Sequence, residues 1–258
     1  MIRAAMLLLA VAAVPALAQQ AYDPSLDPVR YDGCVRAIDA DAAKVVTYAT
    51  EWQALGGGLP ARHCLALAQL HLGQNAAAEQ TLVEAAALAD REKSPMAADL
   101  WGQAGNAALL AGDVAGAVGH FSAAILSAGE FAPKRTANLL IDRARARVEQ
   151  QQPAAARADL DRALGLDADA AEGWLLSAAL ARRQQDLPRA RADIAKALTL
   201  APADGDVLLG AARIAEAGKD PKAAREFLEK AAAGQDADAA ETARQALAAS
   251  GSPQAPQH

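Results

Sequence analysis

The feature that most constrains the fold is a pattern of small and large apolar residues that recurs five times along the chain. Each copy has an alanine, a large apolar residue four positions later, and a second alanine three positions beyond that. This spacing places all three residues on one face of a helix, so the pattern predicts a repeated amphipathic helix. Successive copies begin 39, 39, 34 and 34 residues apart. The first alanines are Ala78, Ala117, Ala156, Ala190 and Ala224, and the large residues are Leu82, Phe121, Leu160, Ile194 and Leu228.

A second amphipathic run precedes each copy, and turn-forming residues separate the two runs. The turns include Gly112-Asp113, Asp186-Leu187-Pro188 and Asp220-Pro221. An aspartate at such a position can accept hydrogen bonds from the first free amides of the following helix, and proline fits the first helical position. The predicted unit is therefore two helices joined by a tight turn.

This unit resembles the tetratricopeptide repeat (TPR). The signature positions of that family are Trp101, Gly105, Ala117 and Phe121 in the second copy, and Trp174, Ala190 and Ile194 in the fourth. The third and fifth copies keep Ala156, Leu160, Ala224 and Leu228, and the 34-residue step equals the family period. The resemblance implies an all-α, right-handed α-solenoid with capping helices at both ends. Its five repeats cover residues 59–235, at about 59–92, 98–131, 137–170, 171–204 and 205–236.

Small residues in these positions have a packing role. Helix axes approach to within about 8–10 Å only where the side chains between them are small. We therefore interpret Gly105 and the alanine columns as spacers that admit the large residue of the neighbouring helix.

The first 18 residues have the features of a secretory signal peptide. Arg3 is followed by an uncharged run from Ala4 to Val14, and Ala16-Leu17-Ala18 precedes Gln19. The run is shorter than the roughly 18 apolar residues that a membrane anchor needs. We therefore expect cleavage after Ala18, an exported protein of the periplasm, and no membrane-spanning segment in the mature chain.

The remaining segments outside the repeats have different predicted structures. We expect an extended arm over residues 19–30 and an N-terminal helical cap over residues 31–58. A C-terminal capping helix is predicted over residues 236–250, and a disordered tail over residues 251–258.

Two cysteines, Cys34 and Cys64, are present. An even number in an oxidising compartment favours a disulfide, which would join the cap to the first repeat. Closing that loop is worth about 3.5 kcal/mol on the chain-entropy model. A redox pair is the alternative, although the spacing is not C-x-x-C.

The sequence contains no motif typical of catalysis or of nucleic-acid binding. It lacks the common hydrolase, zinc-peptidase, phosphate-loop and dinucleotide signatures. A formal net charge of −6 disfavours phosphate recognition. His63 and Cys64 are adjacent and so point about 100° apart on a helix, which argues against a shared metal ion. We expect no enzyme activity, no cofactor, no metal site and no nucleic-acid partner, and we expect Arg143, Arg145 and Arg147 to be splayed and solvated.

The family resemblance also implies a concave face, lined by the first helices of successive repeats, that binds an extended peptide or a partner helix. When the family's concave-face positions are transferred to this chain, the amino-terminal part of the face includes His63, and Ile141 and Leu209 lie further along it. The lysine, asparagine and arginine set with which some members grip a terminal carboxylate is not reproduced, since Gly102 replaces the lysine that Asn106 would need. The candidate contacts are Asn106, Asn138, Arg145, Arg182, Arg183 and Arg213.

Two interpretations of this face remain open from sequence. Its arginines either recognise an acidic segment of a partner or pair with Glu149, Glu172 and Glu216 of the same chain. The first predicts an adaptor or assembly factor that binds a protein or peptide. The alternative is a scaffold that self-associates through its end faces and leaves the concave face empty.

Overall fold

The computed structural model describes residues 22–129 and 132–251, with side chains to residue 249. The expected signal peptide and the tail beyond residue 251 lie outside the described residues. Within the described part a short 3-10 helix, Pro24–Leu26, precedes twelve α-helices and there are no strands. None of these helices is both long and apolar enough to cross a bilayer. The helices are α1 (Asp27–Ala54), α2 (Gly58–His71), α3 (Asn75–Arg91), α4 (Ala97–Ala111), α5 (Val114–Ala128), α6 (Pro133–Glu149), α7 (Pro153–Leu166), α8 (Ala171–Arg183), α9 (Leu187–Leu200), α10 (Gly205–Ala217), α11 (Pro221–Ala232) and α12 (Ala237–Gly251).

The helices pack mainly against their neighbours in chain order. The five repeat pairs are α2 with α3, α4 with α5, α6 with α7, α8 with α9, and α10 with α11, while α12 packs on α11 and α10. We call α2, α4, α6, α8 and α10 the first helices and their partners the second helices. The prediction of an all-α solenoid of helix pairs is confirmed.

The alanine and large-residue columns lie where the helices touch. The first alanines of the five copies are 0–3% exposed, and Phe121, Leu82 and Leu160 are fully buried. A β-carbon added to Gly105 would lie 2.6 Å from the Phe121 ring, which is closer than carbon atoms pack. Gly105 on α4 is thus required for the insertion of Phe121 from α5.

The starts of three second helices, α5, α9 and α11, are fixed by side-chain capping. Asp113, Asp186 and Asp220 each accept a hydrogen bond from the backbone amide three residues later, at 2.8–3.1 Å. These bonds satisfy amides that have no partner within the helix. The tight turn is thereby fixed next to the second helix in three of the five units, while α3 and α7 begin without a side-chain cap.

The amino-terminal segment is folded differently from the extended arm predicted over residues 19–30. Residues 24–30 are helical, because the Asp23 side chain caps the Ser25 amide at 2.9 Å and prolines occupy the first turns of both the 3-10 helix and α1. The two Asp-Pro pairs at 23–24 and 27–28 are start signals for helices. The arm prediction overlooked them.

Helix α1 is itself a bent pair. Asp41 has non-helical angles (φ −162°, ψ 79°), and its carboxylate accepts from the Lys44 amide at 3.1 Å. The bend divides α1 into α1a (residues 27–40) and α1b (42–54). The indole of Trp52 donates to the Tyr22 hydroxyl at 3.1 Å, so the end of α1b returns to the start of α1a.

A disulfide joins this bent pair to the first repeat. Cys34 of α1a is bonded to Cys64 of α2, with the two Cα atoms 6.3 Å apart, within the usual range for a disulfide. Both residues are at most 3% exposed.

Replacement of Gly105 by alanine should destabilise the fold. The new β-carbon would press on the buried Phe121 ring, and overpacking of this kind costs about 1–3 kcal/mol. Gly119→Ala on α5 is the matched control, since a β-carbon there meets nothing within 4 Å and alanine is the better helix former. Urea denaturation should show a lower midpoint for Gly105→Ala and an equal or higher one for Gly119→Ala; equal midpoints for Gly105→Ala and the parent chain would contradict the packing.

Candidate functional site

A concave site lies along three successive first helices in the carboxy-terminal half of the chain. We call it the arginine groove; its volume is about 280 Å³. Arg145 comes from α6, Arg182 and Arg183 come from the last turn of α8, and Arg213 comes from α10. The groove therefore depends on the stacking of three repeats rather than on any one of them. Its other lining residues are Glu172, Leu175, Leu176, Ala179, Asp206, Gly210 and Ile214.

Arg145 is held by carboxylates of the same chain. It donates to Asp142 at 2.9 Å and forms an ion pair with Glu172 of α8. Burial raises the pKa of the Asp142 carboxyl, and the charge of Arg145 opposes that shift. Arg145 thus links α6 to α8 at one wall of the groove.

The other three arginines are not held in this way. Arg182, Arg183 and Arg213 form no ion pair and donate no side-chain hydrogen bond to any residue that the structure describes, and Arg183 and Arg213 are exposed. Of the three glutamates weighed as partners, only Glu172 forms an ion pair, and it does so with Arg145. Three guanidinium groups around one concave surface are therefore available to an external acceptor.

A smaller apolar notch of about 150 Å³ adjoins the arginine groove. Val148, Leu176, Ala179 and Leu180 line it, and Arg145 and Arg183 border both sites. The combined surface offers charged donors beside a space that fits an aliphatic side chain.

The structure separates the remaining groove candidates from this site. Asn106 on α4 and Asn138 on α6 are exposed, but neither lines the arginine groove. Ile141 and Leu209 are 2% and 6% exposed, because they face the neighbouring helices rather than the concavity.

His63 was expected on the concave face and is buried instead. Its Nδ1 atom lies 2.7 Å from the Tyr31 hydroxyl, and Nε2 lies 2.9 Å from the side-chain oxygen of Gln103. Because that oxygen only accepts, Nε2 carries the proton and Nδ1 accepts from Tyr31. Burial lowers the pKa of the His63 imidazole. His63 therefore connects α1, α2 and α4 in its neutral form.

The prediction that Arg143, Arg145 and Arg147 are splayed and solvated is wrong for two of them. Arg143 donates to both oxygens of Asp159 on α7, at 2.9 and 2.7 Å, and Arg147 donates to the same carboxylate at 2.6 Å. Positions i and i+4 share a face of the helix, so both arginines reach one buried acid, whose side chain is 5% exposed. Only Arg145 turns toward the groove.

A related cluster lies one repeat further on. Asp193 of α9 accepts from Ser177 of α8 and from Arg189, at 3.4 Å, and Arg157 of α7 donates to Ser177. Asp159 and Asp193 are 34 residues apart and each directly precedes the large residue of its repeat. That recurrence was visible in the sequence, and it marks polar bridges between helices.

No metal site is evident in the part of the chain that the structure describes. No group of three or more histidine, cysteine, aspartate or glutamate side chains is arranged there to hold an ion.

Comparison with known proteins identifies the fold. No family model and no curated protein sequence matches the chain. Among solved structures, PilW, a widely conserved type IV pilus biogenesis factor, is 17% identical, with a TM-score of 0.67 over 86% of this chain and 98% of that one. PilF of Pseudomonas aeruginosa is 14% identical, with a TM-score of 0.65 over 88% and 98%. YrrB, a TPR protein with an unusual peptide-binding site, is 20% identical, with a TM-score of 0.50 over 72% and 91%. The described chain has the helical repeat fold of tetratricopeptide repeat proteins.

Loss of Asp159 should destabilise the fold strongly. Asp159→Ala leaves Arg143 and Arg147 without their buried acceptor, and breaking a buried pair costs about 3 kcal/mol or more. Asp161→Ala on the same helix is the control, because that carboxylate is 49% exposed and its pairs are worth at most about 1 kcal/mol. Equal unfolding free energies for the two variants, measured in urea, would show that the buried cluster contributes little.

The free energy of unfolding should decrease as the pH is lowered, because of His63. With its pKa lowered in the folded state, the imidazole binds a proton in the unfolded chain first, below about pH 6.5. Its contribution is therefore complete above that pH and is lost as the pH falls toward the folded-state pKa. Thermal unfolding at pH 7.5 and 5.5 should show a smaller loss of stability in His63→Gln than in the parent chain; an identical loss would assign the effect to other groups.

Proposed function

We propose that this protein is an exported, non-enzymatic adaptor or assembly factor that binds an acidic, extended segment of another protein in the arginine groove. The observation that carries the proposal is the set of three arginines, Arg182, Arg183 and Arg213, without acceptors among the described residues. Guanidinium groups form charge-assisted and often bidentate hydrogen bonds with carboxylates, and their planar shape sets the direction of approach.

The apolar notch narrows the class of ligand. An aliphatic side chain of the ligand would bury itself against Leu176 and Leu180 while a neighbouring carboxylate meets Arg183, which borders both spaces. Apolar burial supplies affinity, and the arginines supply selectivity for acidic sequences. The preferred ligand is thus a segment in which acidic and aliphatic residues lie close together.

Export is supported by the covalent structure. A disulfide between Cys34 and Cys64 persists in oxidising compartments such as the periplasm and is rare in the cytosol. The sequence of residues 1–18, with its short apolar run, agrees with that location. PilW, which has a similar fold, is described as a type IV pilus biogenesis factor, and YrrB as a TPR protein with an unusual peptide-binding site. These similarities support a role in protein recognition without specifying a partner.

Charge reversal in the groove should abolish binding of acidic peptides. A fluorescent peptide library that combines glutamate with leucine is the probe, and affinity is measured by anisotropy at two salt concentrations. Hydrogen bonds to charged groups are worth about 1.5–3 kcal/mol each, so Arg182→Glu with Arg213→Glu should weaken binding by about 100-fold or more. Binding by the parent chain should also weaken with salt.

The control carries the same charge change outside the groove, as Arg162→Glu combined with Arg191→Glu. Both arginines lie on second helices, α7 and α9, are exposed, and form no ion pair with a described residue. This control should retain the parent affinity. Equal losses of peptide affinity in the groove variant and in this control would show that net charge alone causes the effect, and would contradict the proposed site.

A further inference from the structure

The two ends of the solenoid differ in character. At the carboxy-terminal end, α12 buries Ala239, Ala240 and Ala243 against the last repeat. On its other side Asp238, Glu241 and Arg244 are exposed, while Ala246 and Leu247 are half-buried. A polar outer face of this kind is what the terminal element of a repeat array needs to remain unpartnered in water.

Among the residues described from Tyr22 onward, the amino-terminal end has no such polar cover. Between α1a and α1b lies an open concavity of about 570 Å³, lined mainly by apolar residues that include Val29, Gly33, Ala37 and Tyr48. Val29 is 70% exposed and Tyr48 is 42% exposed. We call this surface the amino-terminal face.

Charges at the rim of this face balance one another. Lys44 is 87% exposed and pairs with Asp41 on the adjacent turn, at 2.8 Å. Arg30 is held by Asp27, at 3.1 Å. The whole chain carries a formal net charge of −6, so a neutral, apolar surface is where two copies would meet with the least repulsion.

We propose that the amino-terminal face binds the same face of a second copy of this chain, forming a two-fold symmetric dimer. A two-fold contact requires a self-complementary surface. This face offers both a ridge, at Val29, and a groove between α1a and α1b, and its rim carries both Lys44 and Asp41. The lysine of each copy can then pair with the aspartate of the other as the ridges enter the grooves.

Two other occupants fit less well. Head-to-tail stacking would place the apolar amino-terminal face against the polar side of α12, leaving the apolar residues opposite Glu241 and Arg244. With the cleavage behind Ala18 that we propose, the three residues left before Tyr22 span at most about 10 Å and would cover little of this face.

The dimer would carry two arginine grooves in one assembly. The arginine groove is built on α6, α8 and α10, several helices away from the amino-terminal face, so dimerisation leaves both grooves open. A two-fold assembly then presents two identical grooves to one partner assembly. Two linked sites raise the apparent affinity for a ligand that repeats, well beyond that of one site.

The test is the mass of the chain purified after export. Light scattering coupled to size-exclusion chromatography, over a hundredfold range of concentration, should give a dimer that dissociates on dilution. Val29→Glu combined with Tyr48→Glu places charges within the contact at two exposed positions and should raise the dissociation constant at least 100-fold. Circular dichroism checks that the variant keeps its helix content.

Leu126→Glu is the matched control. Leu126 is 83% exposed on α5, far from the amino-terminal face in the sequence of helices, and its change should leave the dimer intact. A parent chain that is monomeric at the highest concentration overturns the proposal. So does growth beyond a dimer, which indicates head-to-tail stacking, or a dimer that survives the double substitution. None of these outcomes affects peptide binding by the monomer, so the groove is tested separately.

Discussion

The close approach of helices at small residues is the constraint on which the rest of the structure depends. A single β-carbon at Gly105 would occupy space that the Phe121 ring already fills, and the alanines of all five copies are almost completely buried. Because the side chains at these contacts are small, the next helix pair stacks directly on each one. The first helices α6, α8 and α10 therefore come to lie side by side. The arginine groove exists only because that stacking is regular.

Polar bridges supplement the apolar contacts between repeats. Asp159 and Asp193 occupy equivalent positions, and each is reached by arginine or serine side chains from other helices. Burying such charges brings little net stability, but leaving one of them unpaired is costly. The bridges therefore act mainly to fix the alignment of neighbouring helices. They also explain why some arginines of this region are held by carboxylates of the same chain, whereas Arg182, Arg183 and Arg213 are not held by any described residue.

The sequence predicted the fold well, because alanine columns and aspartate caps depend on local spacing. It also indicated Arg145, Arg182, Arg183 and Arg213 as neighbours, since residues at equivalent positions of stacked repeats come together. It did not separate Arg143 and Arg147 from Arg145, because the direction of a long side chain depends on an acceptor on another helix. His63 was misplaced for the same reason: a position one step around the helix decides between core and concave face. The helical start at Asp23-Pro24 was overlooked although its signal is local.

The disulfide makes the two ends of this array unequal. In a solenoid each unit is supported only by its neighbours, so unfolding usually starts at an end and passes inward. The bond between Cys34 and Cys64 keeps α1 attached to α2 even when their packing is lost, because both cysteines belong to one covalently closed loop. Helix α12 has no comparable tether. We therefore expect unravelling under heat to begin at the carboxy-terminus, which places the arginine groove, rather than the amino-terminal face, nearer to the end that opens first.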